Sequence, residues 1–213
     1  MKKIAFLFFT LTLITFKTTA QDSKIKFGLQ TGLTYTGFRG YDSSGSREGF
    51  SYLFGASFQF PLKEKLSIKA DLNYERKTQI SEGRMGSWEN GGMTYRTIKA
   101  TAYYNYITLP VLLKYTFSSK NFYVNGGPYV GYLLKSGMKS KSWDGDMENT
   151  KYRKRFDFGI AAGFGKEFKL TQKHLLYLEL RDNLGLTDVA KPAMPTDAYL
   201  KFNTVSLIAG ITL

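Results

Sequence analysis

Cysteine is absent from the 213 residues, and histidine occurs once, at His174. The first absence excludes a disulfide framework, a thiolate metal centre, a cysteine nucleophile and a lipid-anchored cysteine behind a leader. The second leaves little for a nucleophilic triad or a zinc site, which usually require one or more placed imidazoles. His174 follows Lys173 in an expected turn, and it is read as an exposed turn residue. Proline is scarce, with five residues. Long apolar runs are missing as well. The N-terminal apolar stretch, residues 4–16, falls well short of the ~20 residues that a transmembrane helix needs. Hydrophobic residues nevertheless make up 43% of the chain at a mean hydropathy of -0.26. Apolar and polar residues that alternate along strands average out in this way. Twenty-one Gly, 15 Tyr and 17 Phe also favour strands and turns over helices.

The N-terminus has the layout of a secretory leader. Met1, Lys2 and Lys3 form a basic start, residues 4–16 an apolar centre, and Thr18 to Ala20 offer small residues for cleavage after Ala20. The expected domains are therefore a signal peptide at 1–20 and one exported domain at 21–213. Cleavage would remove Lys2, Lys3 and Lys17 from a formal charge of +13 and leave a basic chain.

Eight segments alternate with the period of a strand, in which successive side chains point to opposite faces. They are 26–38, 50–60, 66–77, 103–117, 121–135, 155–168, 175–184 and 202–213. One face is apolar throughout, as in Phe50, Tyr52, Phe54, Ala56, Phe58 and Phe60, or Leu176, Leu178 and Leu180. The other carries Gly, Ser, Thr, Tyr and charges, and Pro110 falls on it, where a lost ladder bond or a bulge is expected. These segments exceed the ~5–6 residues usual in globular strands and suit a tilted membrane crossing of ~9–11. The links alternate in length: 61–65, 118–120 and 169–174 are short, whereas 39–49, 78–102, 136–154 and 185–201 are long. Short turns on one rim and long loops on the other is the outer-membrane arrangement, with short turns periplasmic. An even strand count then puts both termini in the periplasm. Some of the long loops are expected to continue as strands above the membrane. A soluble ligand-binding barrel would need the reverse pattern, with the apolar face inside.

Four blocks carry a family resemblance: ITLPVLLKY from Ile107 to Tyr115, NGGPYVGY from Asn125 to Tyr132, FDFG from Phe156 to Gly159 with GFG from Gly163 to Gly165, and LRDNLGLTD from Leu180 to Asp188. In this order, over essentially the whole exported chain, they resemble the PorT-like outer-membrane β-barrel family of Bacteroidota. The resemblance implies an eight-stranded barrel in the outer membrane of a Gram-negative cell. The family's namesake takes part in protein secretion, and most members have no assigned role. The chain ends in Leu213, where many such barrels end in an aromatic residue read by the assembly machinery.

An eight-stranded barrel has an interior just filled by its own side chains. Lys69, Asp71, Glu75, Lys114, Arg155, Asp157, Glu167, Glu179 and Arg181 fall on the inward face. Unpaired buried charge is costly, so a structural network of ion pairs is expected there rather than a proton or ion path. Asp144, Asp146 and Glu148 offer oxygens of the kind calcium takes, but the rest of a calcium loop is missing. Gly163 to Gly165 lies inside a strand with no helix after it, so it is not a nucleotide loop. Catalytic, cofactor and metal residues are therefore expected to be none. Lys135, Lys139, Lys141, Lys151, Arg153 and Lys154 cluster around one long loop and are expected to face lipopolysaccharide phosphates. Trp88 and Trp143 fall in expected outer loops, as anchors or partner contacts. The leader argues against nucleic acid as a partner.

The expectation is thus an all-β protein, an eight-stranded antiparallel transmembrane up-and-down barrel behind a cleaved signal peptide. It has a side-chain-filled lumen and no enzymatic activity. Its long loops would support the envelope or contact a partner such as a secretion complex. Lipopolysaccharide and the assembly machinery are the other expected partners. A narrow outer-membrane channel or a small outer-membrane enzyme is the alternative.

Overall fold

The computed structural model describes residues 25–40, 46–89, 91–117, 121–140, 145–171, 174–190 and 200–213. The expected leader at 1–20, with Lys141, Trp143 and Asp144, lies outside them. Eight long strands follow the alternating segments: β1 (Lys26–Arg39), β2 (Ser46–Lys63), β3 (Leu66–Glu89), β4 (Gly92–Thr116), β5 (Phe122–Ser140), and then, after a short β6 (Asp146–Glu148), β7 (Phe156–Lys169), β8 (Leu175–Gly185) and β9 (Lys201–Thr212).

Each long strand pairs antiparallel with the next long strand in the chain, and β1 pairs with β9. The β4–β5 pairing completes the ring. All eight long strands are thereby paired on both sides over the barrel wall, which removes the open edges that a flat sheet would expose. β6 lies outside the ring and adds three pairs to the upper end of β5. Residues 26 and 213 sit at the same end as the three short turns. At one of these turns Asn121 takes a left-handed backbone at φ 55.

Burial alternates strictly along the wall, as in the pattern iBiBeBeBeBiB of β9. The residues expected on the apolar face point outward, among them Leu33, Phe50, Phe54, Phe58, Phe158, Phe164, Leu178 and Leu207, all exposed. A contiguous apolar exterior of this extent marks a membrane-facing wall rather than a soluble surface. Proline 110 faces the lumen. On the β3 side the pairs at Pro110 and Leu109 are missing between Ala70↔Val111 and Asn73↔Thr108 while the register is kept, as a residue lacking N–H favours, and on the β5 side Pro110 stands opposite Tyr129. A bulge at Leu134 falls between the pairs Asn105↔Lys135 and Tyr106↔Leu133.

As expected for some of the long loops, strands continue beyond the wall. The segment 78–102, read as a loop, is a continuation of β3 and β4 in unbroken register up to Glu89↔Gly92. From about residue 83 to 99 both faces of this ribbon meet water, so no apolar alternation reveals that part in sequence.

Candidate functional site

The lumen is packed with side chains and holds the polar chemistry of the chain. Around its middle, Glu179 accepts from Lys69 Nζ at 2.7 Å, from Tyr123 Oη at 2.8 Å and from Arg181 Nε at 2.6 Å. Arg181 also donates to Asp71 Oδ2 at 2.7 Å, and Lys69 stands 3.6 Å from the same carboxylate. Tyr177 donates to Gln30 Oε1 at 2.7 Å, and Gln30 donates onward to Asn73 at 2.6 Å. Nearer the short turns, Lys114 donates to Glu167 and to Gln59. Toward the long loops, Lys77 donates to Asp157 at 3.0 Å and lies over the rings of Phe202 and Tyr106. Tyr129 and Thr187 donate to the same Asp157.

Glycine makes room for this packing. Tyr177, Tyr123 and Tyr129 each lie against a glycine paired with it on the next strand, Gly210, Gly165 and Gly159 respectively. A Cβ at Gly210 would stand 2.3 Å from Tyr177 Cζ, and one at Gly165 would stand 2.5 Å from Tyr123 Cζ. The Gly and Tyr content of the inward face is thus one device: bare backbone on one strand receives an aromatic ring from its neighbour.

Of the inward charges expected from sequence, Lys69, Asp71, Glu75, Lys114, Asp157, Glu179 and Arg181 are buried, and Glu167 is partly so. Glu75 differs from the rest, because neither of its carboxylate oxygens has a hydrogen-bond partner. Arg155 does not belong with them. It precedes β7, is exposed, and donates through Nη1 to the carbonyls of Leu133 and Leu134 at 2.9 and 3.1 Å. The alternation counted it inward, but the chain has not yet entered the wall at that residue. Lys77 is buried on the same face, where counting by twos from Lys69 places it.

At the long-loop end an apolar side chain enters the lumen. Val189, between β8 and β9, is fully buried against Phe202, Tyr104, Tyr106 and Leu133. Asp188 holds the segment down. Its Oδ1 accepts from the N–H of Ala190 and Leu200 at 3.1 and 2.9 Å, and its Oδ2 accepts from Lys154 Nζ at 3.2 Å. Burial acts to raise the Asp188 carboxyl, but the two backbone N–H groups and the Lys154 ammonium outweigh it and hold the group below the usual carboxylate range.

The expected basic loop is largely engaged with its own chain. Lys135 pairs with Glu148 at 3.7 Å, and Lys139 with Asp146 at 3.9 Å. Lys151 lies over the Tyr152 ring, and Arg153 lies over the Tyr104 ring at the mouth. Asp146 also accepts from Tyr103 Oη, so both acidic residues described in this loop are turned to partners within the protein. His174 carries the β7–β8 turn through its backbone, its carbonyl accepting from Leu170 N and its N–H donating to Thr171 Oγ1.

Two surface features complete the long-loop end. The tip of the β3–β4 ribbon carries Trp88, Met93 and Tyr95 at 74%, 54% and 64% exposure. Trp88 is paired with Met93 across the strands, and Met93 and Tyr95 both pack over Gly86. On the barrel wall, a groove of about 400 Å³ is lined by Lys154, Arg155, Phe156, Phe158, Thr187 and Asp188.

A family profile described as outer membrane protein beta-barrel domain matches residues 19–191. No curated protein matches the chain. Among solved structures, Neisserial surface protein A is 13% identical at a TM-score of 0.46, over 90% of this chain and 99% of that one. Ail, the attachment invasion locus protein of Yersinia pestis, solved with the heparin analogue sucrose octasulfate, is 11% identical at 0.44, over 90% and 100%. OprG of Pseudomonas aeruginosa is 12% identical at 0.39, over 88% and 93%.

Proposed function

The chain belongs to the outer membrane protein beta-barrel domain family, and on that premise we propose that it is a non-enzymatic, non-conducting outer-membrane barrel that presents its long-loop end to a partner. The observation that carries this reading is the filled lumen. Arg181, Tyr106, Tyr123, Lys77, Phe202, Leu112, Leu133 and Ile208 all point inward at less than 2% exposure, and Val189 caps them. A conducting path would need a continuous file of water, and side chains packed to that degree leave no width for one. In this reading the long loops face outward and both termini lie in the periplasm. Lipopolysaccharide surrounds the outward rim, and the assembly machinery handles the barrel during insertion. The block resemblance supports placement in the PorT-like group of Bacteroidota, and with it a secretion or envelope complex as the class of partner.

The contact surface is the ribbon tip. An exposed cluster of Trp, Met and Tyr on a two-stranded stalk has the aromatic and thioether composition enriched at protein interfaces. Two measurements test the reading. Purified protein in planar bilayers is expected to give no current above background; a reproducible unitary conductance would install the channel alternative. A photo-crosslinking side chain at position 88 in living cells is expected to trap one protein of the envelope, and the same probe at Lys63 in a short turn is not. Equal capture from both positions would remove the ribbon from the reading.

A further inference from the structure

We infer that the wall groove at the top of β7 is a binding site for a phosphorylated glycolipid, with the phosphate on Arg155 and an acyl chain on Phe156 and Phe158. The inference rests on the reading of the long-loop end as the outward one. It begins with how Arg155 is held. Nη1 is fixed by two main-chain carbonyls, Leu133 O and Leu134 O, which leaves Nη2 and Nε of a planar five-donor group for another partner. No carboxylate pairs with Arg155 among the described residues, whereas its neighbour Lys154 is answered by Asp188 at 3.2 Å. The groove therefore carries one positive charge that is pre-positioned and not neutralised by the acid beside it.

What lies below that charge gives the other half of the ligand. Phe156 and Phe158 point out of the wall at 52% and 49% exposure, with their rings stacked at 5.9 Å and 15°. Tyr132 packs edge-on against Phe156 from β5 at 5.3 Å. This floor continues as an apolar row of the wall through Ile160 and Phe164 of the same strand. A ligand that fills the groove must be anionic at the loop end and apolar toward the wall. A fixed guanidinium favours phosphate, which takes two parallel N–H donors, and the site lies at the rim where a lipid head group meets its chains. The opposite rim has a groove of about 450 Å³ lined by Lys63, Glu64, Lys65, Leu66 and Tyr115. It has lysines and an acid but neither a fixed arginine nor a stacked aromatic pair, and so it serves as the internal comparison.

The test uses the full protein purified in mild detergent, with retained lipid read by native mass spectrometry. The probes are diphosphorylated lipid A, the same lipid without its phosphates, and phosphatidylglycerol. Diphosphorylated lipid A is expected to stay bound preferentially. Arg155→Gln is expected to weaken its retention at least about tenfold, the factor for losing a charge-assisted hydrogen-bond pair. Arg155→Lys keeps the charge but not the two parallel donors and should recover only part of it, and Phe158→Ser should weaken it while leaving the heat-modifiable gel shift of the folded barrel in place. The double substitution Lys63→Gln and Lys65→Gln at the opposite rim should leave it unchanged. Equal retention of the dephosphorylated lipid or of phosphatidylglycerol, or displacement of lipid A by inorganic phosphate alone, would overturn the proposal. Protease access to the 186–200 loop on intact cells reports separately on which rim faces outward, so a failure of that reading is distinguishable from a failure of the site.

Discussion

Lys77 on β3 and Asp157 on β7 meet at 3.0 Å inside the barrel, 80 residues apart in sequence and with neither side chain exposed. The ammonium is enclosed by Phe202 and Tyr106 rings, and Tyr129 and Thr187 complete the carboxylate. The pair ties opposite arcs of the wall beneath the Val189 cap. Removing one partner leaves the other charged in a packed interior, at a cost of about 3–5 kcal/mol. Lys77→Met is predicted to lower the urea midpoint of the detergent-folded barrel accordingly. Replacing both residues by Met and Leu should recover much of the loss. A single substitution with no shift in midpoint would mean the pair contributes no stability.

Two buried glutamates are predicted to respond oppositely to loss of charge. Glu179 is bound by Lys69, Arg181 and Tyr123, so Glu179→Gln leaves two cations sharing Asp71 and is expected to cost about 3 kcal/mol or more. Glu75 has no donor on either oxygen, and the nearby Lys77 is already answered by Asp157. Glu75→Gln replaces a buried carboxyl that no hydrogen-bond donor satisfies, and it is expected to be near neutral or stabilising. Parallel urea titrations of the two variants decide this; equal destabilisation would refute it.

The ring-on-glycine packing predicts a steric asymmetry. Gly210→Ala places a methyl 2.3 Å from Tyr177 Cζ, so the ring must leave its place and its hydrogen bond to Gln30. Overpacking of this kind costs about 1–3 kcal/mol. Gly83, beside which an added Cβ meets nothing within 4 Å, is the control, and Gly83→Ala should leave stability unchanged. Equal effects at the two positions would show that the glycines are not there to admit the rings.

The latch at Asp188 predicts a pH dependence. Its folded pKa lies below the unfolded value of about 4. Its contribution is therefore fully present above pH ~4 and is lost as pH falls through the folded value. Protection factors of the Ala190 and Leu200 amides in hydrogen exchange should stay level from neutral pH down to about 4 and decline below it. Asp188→Asn should remove that decline. Protection that is level on both sides of pH 4 in the wild type would exclude the carboxylate as the latch.

Much of the wall is legible in the sequence, because side-chain alternation is a local property of extended backbone. Leu29 and Leu33 against Gln30 and Thr34, or Leu178 and Leu180 against Glu179 and Arg181, sort to the two faces wherever the strand sits. The alternating link lengths likewise foretold which end carries the elaborate loops. The local rule failed where strands leave their ordinary surroundings. Between about 83 and 99 the ribbon has water on both faces, so apolar alternation vanishes while the register continues. At Arg155 the parity was right for a strand, but the strand begins one residue later.

The sequence by itself determined that this chain builds a strand wall, apolar on one face and polar on the other, because each of its eight wall crossings repeats the same two-residue pattern. Which inward groups meet was decided only by the tertiary structure. Lys69 and Glu179, or Arg181 and Asp71, stand 110 residues apart. Their contact depends on the stagger of all the intervening strands and on the closing pairs β1–β9 and β4–β5. The burial of Val189, the fixing of Arg155 by two carbonyls, and the aromatic pair beneath it are likewise products of ring closure. The physical reason is that facing is set residue by residue along one strand, whereas partnership across a lumen is set by the register of the whole barrel.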